Sequence, residues 1–223
     1  MIGHRLGLGV AAMAVALAAG VASAAEDPLQ GDLRELRVGM AVAELPTDGY
    51  VDLACGNNGR EPGTPLDGWS QFERCPPDAV GLHEVAFAFA PSPLETLGDR
   101  WEGTKVAGHP VIPSLLIDDD GIVQGLRIVT DPDTRLYLHK KAYLFGIRVM
   151  GRYGRDGWTC AEADPGDDRS PVGGMFIDRH CEKTFHDRHL ILETDLYRDA
   201  GQQGREFTDA TASRSSRSLV EGP

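Results

Sequence analysis

The chain has 223 residues, with 22 Lys and Arg against 34 Asp and Glu, a formal net charge of −12. That balance argues against nucleic acid or an anionic membrane surface as the main partner, because both attract positive charge. The length suffices for one sizeable core or two small ones.

Arg5 is the only charged side chain before Glu26. An Ala- and Gly-rich apolar run, Leu6–Val21, follows it and ends in Ala22-Ser23-Ala24. A basic start, an apolar stretch and a small-x-small cleavage site make residues 1–24 a secretory signal peptide. The expected location is therefore periplasmic or secreted. No later apolar run approaches the ~20 residues of a spanning helix, so no transmembrane segment is expected after signal removal. Gly7-Leu-Gly-Val-Ala-Ala12 matches a dinucleotide-binding pattern, but it follows no strand and lies in the signal segment.

Asp32–Glu44 carries apolar residues at Leu33, Leu36, Val38 and Met40 and predicts a short helix, broken by Gly39 and stopped at Pro46. Within it, Leu36-Arg-Val-Gly-Met-Ala-Val-Ala-Glu-Leu45 resembles the helix opening of small bacterial envelope proteins of the SmpA/OmlA (outer-membrane assembly lipoprotein E) type. The resemblance covers ten residues, without a lipidated cysteine and with Pro46 close behind. It implies an α+β periplasmic binding or assembly module and transfers no functional residue.

Tyr50–Ala54 alternates as a strand, Gly56–Pro65 is a loop, and His83–Phe89 is a half-buried strand. Val111–Ile117 and Ile122–Val129 flank Asp118-Asp-Asp-Gly121, a strong hairpin signal because Asp120-Gly121 tolerates positive φ. Leu136–Tyr153 predicts a helix after the turn at Asp131–Thr134, with Tyr143, Ile147 and Met150 along one stripe. Arg148 and Arg152 lie on another face, with Arg155 just beyond. Met175–Phe185 and Leu190–Tyr197 predict a second hairpin around His186-Asp-Arg-His189. From Ala200 onward few apolar residues remain, so residues 200–223 are expected to be a disordered tail.

Four cysteines in an exported chain imply two disulfides. Cys55–Cys75 and Cys160–Cys181 are expected, because each pair closes a local loop. The absence of Cys-x-x-Cys spacing weakens zinc and redox alternatives. The pairs enclose 19 and 20 residues, and Cys55 to Cys160 spans 105 positions against 106 for Cys75 to Cys181. Phe72-Glu-Arg74-Cys75 and Phe176-Ile-Asp-Arg179-His180-Cys181 close the loops similarly. These matches suggest two copies of one stapled unit, spanning residues 32–129 and 133–198. The expected fold class is α+β: an antiparallel sheet with two or three helices in two similar units.

The catalytic motifs sought, a Walker loop, His-Glu-x-x-His, Gly-x-Ser-x-Gly and Ser-x-x-Lys, do not occur. The metal candidates are His180, His186 and His189, since a hairpin tip between the last two would let them share a divalent ion. Asp118–Asp120, and Glu162, Asp164, Asp167 and Asp168, are acidic clusters that lack the ordered ligand series of a calcium loop. The leading expectation is a non-enzymatic exported protein that binds an envelope partner or a small ligand. The alternatives are an exported metal-binding protein using the His186/His189 hairpin or the acidic loops, and a secreted hydrolase with an unrecognised site.

Overall fold

A computed structural model describes residues 31–91 and 103–217. The proposed signal peptide and residues 218–223 of the expected tail lie outside the described residues.

The described residues belong to one compact unit. Its strands are β1 (Tyr50–Cys55), β2 (His83–Phe89), β3 (Lys105–Val106), β4 (His109–Ile117) and β5 (Val123–Thr130). They continue with β6 (Thr159–Glu162), β7 (Arg169–Ser170), β8 (Ile177–Phe185), β9 (Arg188–Asp199) and β10 (Thr208–Arg217). Two helices, α1 (Leu136–His139) and α2 (Ala142–Arg152), separate β5 from β6. The sheet order is β1-β2-β4-β5-β10-β9-β8-β6, with β3 on β4 and β7 on β9. Every pairing is antiparallel.

The expected hairpins form where the turn chemistry lies. Ile117 pairs with Val123, and Asp118 closes the loop. Its Oδ1 accepts from the N–H of Asp120 at 3.1 Å and of Ile122 at 2.8 Å, while Gly121 takes φ 73°. The β8–β9 hairpin turns at His186-Asp187, with His186 at φ 53°.

The α+β expectation is corrected: the described residues are dominated by one antiparallel sheet, with little helix. Asp32–Glu44 is not a helix. Leu33 and Leu36 bridge each other, Gly31 and Gly39 take positive φ, and only Val42–Glu44 forms a short 3₁₀ turn. A second 3₁₀ turn spans Trp69–Arg74. The expected helix Leu136–Tyr153 is interrupted at Lys140-Lys141.

The expected tail is also corrected, because residues 208–217 are β10, near the centre of the sheet. Its Thr, Ser and Ala side chains make it look unfoldable by hydropathy. At Thr211 the side chain is small where α2 approaches closely. A Cβ on Gly146 would sit 3.0 Å from Thr194 Oγ1 and 3.4 Å from Thr211 Cγ2. Thr211 Oγ1 donates to the Ala142 carbonyl at 3.0 Å. Strands from residues 32–129 and from 133–198 lie on opposite sides of β10, so both form one continuous sheet.

Both disulfides are present as paired in the sequence, Cys55–Cys75 and Cys160–Cys181. Their settings differ. The first ties the end of β1 to the end of the second 3₁₀ turn, and the second joins directly opposed residues of β6 and β8.

One sheet face carries the core. Val85 and Phe87 of β2, Leu115 and Ile117 of β4, and Leu126 and Ile128 of β5 meet Trp69, Phe72 and Phe145. Tyr50 and Phe87 pack edge-on to Trp69. The other face is mixed, with Glu84, Arg127, Arg214 and Glu193 beside the buried Leu116 and Val129.

Candidate functional site

A cavity lined mainly by apolar side chains lies between α2 and the core face of the sheet. Its volume is about 520 Å³, within the range of small-molecule sites. The register explains why it exists. Leu126 of β5 and Leu190 of β9 flank Ser215 of β10, while Ile128 and Leu192 flank Ser213. Two serines thus stand where the neighbouring strands carry large aliphatic groups, and the floor is recessed. Phe145 and Val149 of α2 form the roof, and Leu33 and Val106 close the sides.

The mouth is cationic. Arg34, Arg148 and Arg152 line it together with Asp32 and Tyr153. Asp32 is committed elsewhere: Arg188 Nε and Nη2 reach its two oxygens at 3.2 and 3.3 Å, and the Val38 N–H donates to it at 2.7 Å. Both partners are buried. This pair pins residues 32–38 against the base of β9 and so fixes one wall. Arg152 Nη2 donates to the Gly31 carbonyl at 2.6 Å, and Arg34 lies 3.4 Å from the Phe89 ring centroid. Burial, then the nearby Asp32 charge, raises the Tyr153 pKa above its ordinary value and keeps the phenol neutral. An apolar chamber with an arginine mouth suits an amphipathic anion.

Of the sequence-derived metal candidates, two come together and one does not. His180 and Glu182 share a face of β8 because strand side chains alternate. Glu182 Oε1 is 2.8 Å from His180 Nε2, and its Oε2 is 3.5 Å from His189 Nε2. Glu193, directly across from His180, approaches its Nδ1 at 3.5 Å. Protonated His180 is favoured chiefly by Glu182, so its pKa lies above the usual value. His186 sits apart in the turn, its ring 4.5 Å from that of Phe185. Among the described residues no group of three or more His, Cys, Asp or Glu is placed to hold a metal ion.

The aspartates of the first hairpin have structural partners. Asp118 caps its turn, and Asp119 Oδ1 is 2.9 Å from His83 Nε2. The second acidic cluster runs from the end of β6 into an exposed loop, with Glu162 3.9 Å from Arg179.

Besides His180 and His189, two further imidazoles meet carboxylates, and both ring nitrogens of each of these two are occupied. His83 Nδ1 is 2.6 Å from the Cys75 carbonyl, and its Nε2 faces Asp119. His139 contacts Asp209 through Nδ1 and the Thr134 carbonyl through Nε2. Neither ring has a nitrogen left for a hydroxyl nucleophile.

Arg34, Phe145, Val149 and the Ser213/Ser215 pair were not identified as site residues from the sequence. The only signal was the placement of Arg148 and Arg152 off the apolar stripe. No family model, curated protein or solved structure matches the chain. No helix among the described residues is long and apolar enough to cross a membrane.

Proposed function

We propose that this is an exported, non-catalytic binding protein, and that the cavity beneath α2 holds an amphipathic anion such as a long-chain carboxylate. One observation carries the reading: an apolar chamber with Arg34, Arg148 and Arg152 at its mouth. The acyl portion would replace water against Leu126, Leu190, Phe145 and Val149, gaining about 25 cal/mol per Å² buried. The carboxylate would remain at the mouth, where Arg offers fixed forked donors. Export is supported by the signal-like N-terminus and by two disulfides, which persist in oxidising compartments. Envelope binding is also what the short SmpA/OmlA resemblance implies.

The test is titration of the purified chain with the fluorescent amphiphile anilinonaphthalene sulfonate, followed by displacement with oleate. The expected result is one site of micromolar affinity. Val149→Trp fills the chamber and should abolish the signal, and Arg148→Glu should weaken oleate binding roughly ten-fold. Absence of saturable binding, or unchanged binding in Val149→Trp, rejects the proposal.

A further inference from the structure

The helical segment carries a surface opposite in sign to the rest of the chain. Between Thr134 and Arg155 lie six of the 22 basic residues, Arg135, Lys140, Lys141, Arg148, Arg152 and Arg155, and no Asp or Glu. All six are exposed, and none forms an ion pair among the described residues. The nearest acids in sequence, Asp131, Asp133 and Asp156, lie beyond its ends.

The same segment exposes apolar side chains. Leu136, Tyr137 and Ile147 are 37%, 49% and 45% exposed, three of the five exposed large hydrophobics among the described residues. At 100° per residue, Ala142, Phe145, Gly146 and Val149 face the sheet, while Leu144, Ile147 and Gly151 face away. Lys141 and Arg148 run along one side of that outward stripe.

We infer that the outer face of α1 and α2 docks on an anionic lipid surface. A helix lying at a bilayer interface combines an apolar stripe with flanking cations. The apolar component selects this occupant over nucleic acid. A duplex rewards the six charges but offers nothing to Leu136 and Ile147, whereas a lipid interface satisfies both. The inference goes beyond the cavity reading and stands without it. It also revises the argument from net charge, since local sign governs contact within a Debye length of about 8–10 Å.

The experiment is co-sedimentation of the full chain with vesicles of phosphatidylcholine alone or mixed with phosphatidylglycerol. Binding is expected only to the mixed vesicles and should weaken as salt rises. The double variant Lys140→Glu/Lys141→Glu should lose at least about ten-fold in binding. Ile147→Ser should weaken binding while keeping the salt dependence. None of these positions lines the cavity, and unchanged thermal melts would confirm folding. Equal binding to both vesicle types, no vesicle binding, or capture of a DNA duplex with vesicles ignored overturns the inference, as does full binding by the folded lysine variant. Vesicle binding without oleate binding would reject the cavity reading alone.

Discussion

Asp195 holds a carboxyl displaced toward neutral pH. It stands directly across from Asp178 on the polar face of β8 and β9. Burial first, then the charges of Asp178 and Glu193, push its carboxyl up to about 6. The native state therefore holds this proton to a higher pH than the unfolded chain does. The stabilisation from protonation is complete below about pH 4 and is lost as pH rises through about 6. Asp195→Asn should raise stability at pH 7 by about 1–2 kcal/mol, after discounting for partial exposure. The gain should vanish below about pH 4, and denaturation midpoints across pH will show it. Identical pH profiles would remove Asp195 from the account. A second residue-scale test concerns the buried Asp32–Arg188 pair. Arg188→Ala leaves a buried carboxylate uncompensated and should cost about 3–5 kcal/mol in denaturant unfolding. Because the pair fixes the cavity wall, amphiphile affinity should fall as well.

Elements whose residues are opposed locally could be read from the sequence. β2 and the β4–β5 hairpin follow alternation and turn chemistry, and they form as expected. The cysteine pairings were legible for the same reason, since each closes a short stretch of chain. Replacing Cys55 and Cys75 by Ser should cost roughly 3 kcal/mol, the loop entropy of about 20 residues, and a melting curve with and without reductant gives the comparison. β10 and the segment 32–44 were illegible because their partners are distant. Ser213 and Ser215 acquire meaning only beside Leu126 and Leu190, and Thr211 only beneath Ala142. The cavity was hidden for the same reason. Arg148 and Arg152 share a helix face, but no local pattern connects them with Arg34. The histidine hairpin was half legible: its turn lies at His186, but alternation and register group His180 and His189, not His186, around Glu182.

For the whole molecule, β10 is the piece on which both halves depend. It pairs with β5 over Ser216 to Ala212 and with β9 over all ten of its residues. A chain ending at Phe207 should therefore lose cooperative unfolding altogether instead of losing only a peripheral strand. Circular dichroism melts and hydrogen exchange will decide this, and a sharp native-like transition in the truncated chain would contradict it.

The same arrangement has a consequence in time. The strand that completes the middle of the sheet is the last of the described strands to be synthesised. Until it arrives, β5 and β9 each present an open edge, and no N-terminal fragment can close the sheet. Pairing over such sequence separations is slow. Before β10 is made, the strands β1, β2, β4 and β5 and the strands β9, β8 and β6 are two separate ladders with nothing to join them. Joining the two ladders is therefore the latest step of the described fold that synthesis allows.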